Sequence, residues 1–290
     1  MKSRKMSALD WNLPAPPDRP RANVLGVGVD AIDPKRAVAI VQAALQAGRK
    51  GYVCVTGVHG IMEAQKDREF LSILNSALLV TPDGMPTVWV GRMQGYPQMA
   101  RVFGPDLMLD ICRASVSWGS RHFLYGGQEG VAEELAANLR TVCPGINVVG
   151  TYTPPFRALS PVEKSELIAK VAAARPDIIW VGLSTPKQEK FMAEFLPQLS
   201  TKLMLGVGAA FDLHTGRIKD CDEWIKRAGL QWLHRLSQEP RRLWKRYLIN
   251  NPKFLLAITA QLTGLRRYSL PLPQSVGDPP VDGPAASAAD

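Results

Sequence analysis

The sequence predicts an α/β fold: a mostly parallel sheet with helices on both faces, followed by a basic helical C-terminal appendage. Three observations predict it. Short apolar runs alternate with longer segments of helical periodicity. The runs are continuously apolar rather than alternating, as strands covered on both faces require. Polar and glycine-containing clusters follow those runs directly, where ligands bind in such sheets.

The elements read as follows, in chain order. Asn23 to Val29 is a β run. Pro34 to Ala47 is helical, with Gly48 as its stop. Gly51 to Thr56 is a second strand, and helices follow over His59 to Asp67 and Arg68 to Asn75. Ala77 to Thr81 is a strand ending at Pro82-Asp83-Gly84, with helices over Met85 to Met93 and Pro105 to Ser117. The second half repeats the rhythm. Strands at Arg121–Tyr125, Asn147–Thr151, Asp177–Val181 and Leu203–Val207 alternate with helices at Glu129–Val142, Pro161–Ala174 and Lys187–Phe195. The arrangement is Rossmann-like. Its core is expected over residues 22–225, the appendage over 226–268, and disordered flanks over 1–21 and 269–290.

Composition narrows the function. The chain has 290 residues, 46% hydrophobic and 21% charged, which suits a globular protein with a sizeable core. Its net charge of +9 favours an anionic partner: nucleic acid, a nucleotide-sugar or an acidic membrane surface. Cys54, Cys112, Cys143 and Cys221 are widely spaced, with no CxxC pair. They read as reduced thiols and exclude a zinc or disulfide framework. Met1–Arg21 is polar, basic and rich in proline, without the apolar core of a secretory signal. No run reaches the roughly 18 apolar residues of a spanning helix.

Several clusters carry chemistry, each beside a plainer alternative. The glycine turn at Gly126-Gly127 lets backbone N–H groups approach a diphosphate, or is simply a tight strand-to-helix turn. In Gly182-Leu183-Ser184-Thr185-Pro186-Lys187-Gln188, Gly182 permits close approach, and Lys187 and Gln188 project from a positive helix start. There Ser184 or Thr185 serves equally as a cap. Asp83 follows a strand, where a carboxylate can accept a proton from an attacking hydroxyl. Spacing alone favours an Asp-Gly turn bonded to its own backbone. Arg101 is placed to fork onto phosphate, and Asp106 to hold Arg101 or contact ribose; a surface ion pair is the alternative. His59 and His214 stand without triad or metal partners in a recognisable spacing.

The C-terminal segment is the most unusual stretch. Lys226, Arg227, Arg235, Arg241, Arg242, Lys245 and Arg246 face only Glu239, and Trp and Leu residues are interleaved among them. Pro240 opens a second helix and Pro252 a third. This is the pattern of basic amphipathic helices at a lipid interface, with core packing or a nucleic-acid patch as alternatives. A dinucleotide-binding oxidoreductase would need GxGxxG after the first strand and an acidic residue about 20 further on. Gly26-Val27-Gly28 running into Asp30 fits that poorly.

Taken together, these segments resemble the WecG/TagA/CpsF glycosyltransferases of bacterial cell-surface polysaccharide synthesis. The likeness runs from about Asn23 to Phe254. It rests on Thr81-Pro82-Asp83-Gly84, Arg101 with Gly104 and Asp106, Phe123 to Gly127, Gly182 with Pro186-Lys187-Gln188-Glu189, Gly206 to Asp212, and Gly229-Leu230-Gln231-Trp232 through Arg246-Tyr247. The resemblance implies an inverting transfer, without metal or cofactor, from a UDP-sugar to a polyprenyl-diphosphate-linked acceptor at the cytoplasmic face of the plasma membrane. It makes Asp83 the general base, reversing the preference from spacing. It places Thr56 near the acceptor, Gln188 in the site, and Phe211 and Asp212 in the substrate-binding set. It links Arg235, Arg241, Arg242, Lys245 and Arg246 with membrane docking and closure. No nucleic-acid partner is expected, and a homo-oligomer is compatible. Val58, Thr153-Pro154-Pro155-Phe156 and Gln231 depart from the family pattern, leaving N-acetylmannosamine, glucose and a uronic acid open as donor sugars.

Overall fold

The structure, a computed structural model, describes residues 19–270. It opens with β1 (Arg21–Val24) and β2 (Val27–Asp30), then α1 (Pro34–Gln46), β3 (Gly51–Thr56), α2 (Val58–Ala64), α3 (Arg68–Asn75), β4 (Leu79–Pro82), α4 (Met85–Met93) and α5 (Gly104–Trp118). The second half runs β5 (Arg121–Gly126), α6 (Val131–Val142), β6 (Asn147–Tyr152), α7 (Pro161–Ala174), β7 (Ile178–Gly182), α8 (Lys187–Phe195), β8 (Leu203–Gly206) and α9 (Ala210–His214). Three helices close the chain: α10 (Glu223–Arg227), α11 (Gln231–Gln238) and α12 (Pro240–Leu262).

Six strands form one sheet in the order β4-β3-β8-β7-β5-β6, every pair parallel. Alternate residues of each strand feed two cores. Tyr52, Cys54, Phe123, Tyr125, Ile179, Val181 and Met204 pack toward α2, α3, α7 and α8. Val53, Leu124, Trp180 and Leu205 pack toward α1, α5, α6 and α9. Both faces are covered, which explains strands that read as unbroken apolar runs. The crossover helices begin with well-formed caps. Asp33 and Asp67 accept from backbone N–H groups of α1 and α3, and Ser160 and Glu163 form a reciprocal capping box on α7.

The crevice lies between β3 and β8. These neighbours leave the sheet in opposite directions: β3 into α2 on one face, β8 toward α9, which packs on α5 and α6 on the other. Such a switch point opens a cleft beyond the strand ends.

Two sequence expectations are corrected. Asn23 to Val29 is not one strand of the main sheet. It is an antiparallel hairpin that turns at Leu25 (φ 53°) and Gly26 (φ 84°), the positive-φ pair of a two-residue turn. Gly26 is therefore no dinucleotide-binding turn, and Asp30 is engaged by Arg19 at 3.0 Å and by the Val80 N–H at 2.8 Å. The hairpin shields the β4 edge of the sheet. Residues 19–21, expected within the leader, belong to this unit; the remaining leader and nearly all of the tail lie outside the described residues.

Pro252 does not open a third helix but sits inside α12. Proline at that position forfeits the bond to the carbonyl of Leu248. Leu248 is exposed, so water can take that bond. The C-terminal half of α12 is fastened to the hairpin. Gln261 accepts from Leu25 N–H at 2.8 Å and donates to the Asn23 carbonyl at 2.7 Å, and Asn23 donates to the Tyr268 carbonyl at 2.6 Å. Among the described residues no helix is long and apolar enough to cross a membrane.

Candidate active site

The cleft is built from backbone upward. Thr56 and Pro82 are register partners at the ends of β3 and β4, and the Asp83 N–H donates to the Thr56 carbonyl at 3.0 Å. This bond holds Asp83 just beyond the sheet. Gly57 makes the approach feasible: a Cβ there would lie 2.6 Å from the Asp83 carbonyl oxygen. A glycine between a strand end and a helix start was the available sequence signal for Gly57, and it was missed.

Asp83 is surrounded by cations. Arg101 Nε is 4.0 Å from its carboxylate, and Arg235 and Arg246 act on it electrostatically from α11 and α12. Enclosure raises the Asp83 carboxyl above its ordinary range, and the three arginines oppose that rise without cancelling it. A third of the side chain (34%) still reaches solvent, so the group is enclosed yet approachable. Arg101 lies over the Phe103 ring, 4.3 Å from its centroid, and donates to the Gln231 side-chain carbonyl. A neutral glutamine leaves Arg101's full charge to the cleft.

Several buried polar atoms here have no partner: Thr56 Oγ1, Thr81 Oγ1, Glu189 Oε2, Arg235 Nε and Arg246 Nε. Buried polar atoms are rarely left unpaired without a functional reason. Two orphaned guanidinium donors beside a half-paired Arg101 make a seat for an anion. Glu189, 1% exposed, accepts from Thr185 and Gln188 at 2.9 Å each, and burial raises its carboxyl. His59 accepts from the Asn250 amide at 3.2 Å and donates to the Thr185 carbonyl at 3.3 Å, tying α12 to the cleft wall. Burial, reinforced by Arg246, lowers His59 to about 4, so it is neutral near pH 7. Asn250 was not singled out from sequence, and Gln231 and Glu189 were noted there only through the family resemblance, because only the tertiary fold gives them their contacts.

The other expected residues divide. Gly126 (φ 128°) and Gly127 (φ 78°) end β5, and the Gly127 N–H donates to the Gly182 carbonyl at 3.2 Å. A Cβ on Gly126 would come within 2.5 Å of that oxygen, so glycine is required there. From β4 to β5 is four strand spacings, roughly 19 Å. Gly126 and Gly127 thus stand at the far end of the cleft from Asp83. Phe211 is 1% exposed and packs its ring on Gly182, where a Cβ would meet it at 2.7 Å. Gln188 is 3% exposed; its carbonyl accepts from Gly208 N–H at 3.0 Å while its amide serves Glu189. Both shape the wall from within. Lys187 is exposed at the start of α8, where neither Ser184 nor Thr185 caps the helix.

Asp212 is half-buried; burial raises its carboxyl, opposed chiefly by Arg242. Asp106 is exposed in the first turn of α5 and borders a cavity of about 350 Å³ with Arg101, Phe103, Asp110 and Arg113. Arg241, Arg242 and Lys245 are exposed, with Arg242 paired to Glu239 at 2.9 Å and Lys245 above Trp244. The structure therefore brings Asp83, Arg101, Arg235 and Arg246 together, leaves Arg241, Arg242 and Lys245 facing outward, and turns Lys226 inward onto Asp220. His214 is spent on the Pro105 carbonyl at 3.0 Å. All four cysteines are free and buried, and among the described residues no cluster could hold a metal ion.

Comparison with known proteins supplies the family. The chain is 30% identical over 196 residues to the N-acetylglucosaminyldiphosphoundecaprenol N-acetyl-beta-D-mannosaminyltransferase of Bacillus subtilis (strain 168), covering 67% of this chain and 73% of that protein. It is 30% identical over 210 residues to the enzyme of the same name from Bacillus spizizenii, covering 72% and 79%. The model of the glycosyl transferase WecG/TagA/CpsF family matches residues 22–268, the whole of the sheet, cleft and appendage. The chain belongs to the WecG/TagA/CpsF family of glycosyltransferases.

Proposed function

We propose that this glycosyltransferase moves a sugar from a UDP-sugar onto a polyprenyl-diphosphate-linked acceptor in cell-envelope polysaccharide synthesis, with inversion at the anomeric carbon. The observation that carries the reading is the Asp83 carboxylate set among Arg101, Arg235 and Arg246 at a strand-end crevice. The relatives' acceptor, a diphosphoundecaprenol-linked N-acetylglucosamine, supports the acceptor class. The donor sugar stays open among N-acetylmannosamine, glucose and a uronic acid.

In this reading Asp83 accepts the proton of the acceptor hydroxyl as that oxygen attacks the anomeric carbon. The bond to the UDP oxygen breaks, and the diphosphate gathers negative charge. Arg101 and Arg246 offset that charge in a partly enclosed site, where electrostatic stabilisation is strongest. The raised Asp83 carboxyl suits a general base better than an ordinary surface aspartate would. Thr56 lies on the acceptor side. Gly126, Gly127, Gly182 and Lys187 extend along the cleft toward the nucleotide, with Asp106 and Asp212 at its flanks and Gln188 and Phe211 supporting its wall.

The appendage also serves, in this reading, to dock the protein on the inner face of the membrane. Along α12, Trp244 (45% exposed), Leu248, Leu255 and Leu256 (75%) share an outward face with Arg241 and Lys245. An apolar strip flanked by basic residues suits an anionic lipid surface. The test of the catalytic assignment is Asp83→Asn. Turnover should fall about 10²–10⁴-fold while UDP binding is nearly unchanged. Undiminished turnover removes Asp83 from the base role.

A further inference from the structure

The appendage holds a second concave feature that the transfer reaction does not use. Between α10, α11 and the start of α12 lies a groove of about 510 Å³, within the range of small-molecule sites. Trp224, Leu230, Leu233, Leu236 and Pro240 form its surface. Its two polar contributors are already occupied. The Ser237 hydroxyl donates to the His234 carbonyl at 2.7 Å, and the His234 ring pairs with the Gln238 amide at 3.0 Å. The groove offers a ligand apolar contact and little else. Trp224, Leu230 and Leu233 are 65%, 39% and 50% exposed, an apolar concentration that marks a binding surface.

Its place relative to the anion seat points to the occupant. α11 is shared by both. One side carries Gln231, bonded to Arg101, and Arg235, whose Nε is buried without a partner beside the cleft. Leu230, Leu233 and Ser237, three or four residues apart, lie on a different side and line the groove. A helix with its side chains is only about 10 Å across. A ligand with a diphosphate at Arg235, the α11 member of the seat, and a long hydrocarbon tail can therefore pass over α11 and lay the tail in the groove. The outward cations Arg241, Arg242 and Lys245 follow at the Pro240 end, where the tail would leave toward lipid.

We propose that the α10–α11 groove binds the first isoprene units of the polyprenyl-diphosphate acceptor, separating recognition of the lipid tail from recognition of the sugar. The proposal rests on the acceptor class proposed above and adds to it a site for the chain. It predicts that part of the acceptor's affinity comes from apolar contact that a diphosphate alone cannot make.

The test is calorimetric titration of the full chain with farnesyl diphosphate and with inorganic pyrophosphate. Two variants probe the groove by opposite means: Leu233→Gln makes it polar, and Ser237→Trp fills it. Both positions are exposed, and thermal melts check that each variant folds. The wild-type protein should bind farnesyl diphosphate at least about tenfold more tightly than pyrophosphate. Each variant should lose most of that gain while binding pyrophosphate as before. Equal wild-type affinities overturn the proposal, and so does a gain that survives both variants. A change of oligomeric state on Leu233→Gln, with the prenyl gain intact, makes the groove a contact between copies and also overturns it. Transfer from a UDP-sugar is measured separately. Transfer without a prenyl gain sinks only the groove, whereas a groove-dependent gain without transfer sinks only the proposed reaction.

Discussion

Arg101 and Asp83 give the most discriminating prediction, because their separation sets a magnitude. At 4.0 Å, a full charge pair is worth about 4 kcal/mol at an effective dielectric of 20 and about 1 kcal/mol in water. A third of the Asp83 side chain reaches solvent, so the true value falls between these limits. Loss of the pair should therefore raise the Asp83 carboxyl further above its ordinary range. The sign follows from charge: a cation stabilises the carboxylate, so removing it keeps the base protonated to higher pH. The perturbation is Arg101→Gln, and the assay is kcat/KM for transfer from pH 5 to 9. The acid limb should move upward, so that activity at pH 6 falls by a larger factor than at pH 8. A uniform fall with an unmoved acid limb would refute the reasoning. Either Asp83 is not the titrating base, or Arg101 does not face it in the working enzyme.

Other perturbations should act through named contacts. Gly126→Ala places a Cβ 2.5 Å from the Gly182 carbonyl at a φ of 128°, so thermal melts should fall by roughly 4–10 °C and UDP affinity should drop with them. His122 is fully buried between Ser115 and Trp180, and burial lowers it to about 4 from 6.5. The neutral ring's contribution is complete above pH 6.5 and lost as pH falls through the folded value, so denaturant unfolding should show about 2–3 kcal/mol of loss from pH 7 to 4.5. His122→Leu should be less stable at pH 7 but flatter over that range. Truncation after residue 225 should release the protein from anionic vesicles in a sedimentation assay; co-sedimentation of the truncated chain would contradict the docking role of the appendage.

The main sheet was legible because every strand but the edge strand β6 is largely buried and reads as a short apolar run. Glycine, proline and capping residues marked the helices closely: α3, α4, α7 and α8 begin and end where periodicity placed them. The hairpin was hidden because Val24-Leu25-Gly26-Val27 is as apolar as a buried strand, and the turn needs a leucine at positive φ, which no propensity anticipates. Pro252 misled for the converse reason: its helix-breaking effect is local, whereas α12 is held before it by Leu243 and Asn250 and beyond it by Phe254 and Ile258. In the cleft, a strand-end carboxylate and a loop arginine could be found from spacing and resemblance. That Arg235 and Arg246 reach Asp83 could not, since it depends on how α11 and α12 fold back over the crevice. Gln188 and Phe211 look like ligand contacts in the sequence, yet their side chains are turned into the protein to brace Gly208 and Gly182.

The central claim is a sugar transfer driven by Asp83 onto a polyprenyl-linked acceptor. It is tested most directly by mass spectrometry of the lipid-linked product after incubating wild-type and Asp83→Asn protein with that acceptor and a panel of UDP-sugars. The account predicts one added sugar residue from one donor with the wild-type protein, and almost none with the variant. Release of UDP with no gain in acceptor mass from any donor, or equal product from both proteins, would contradict it.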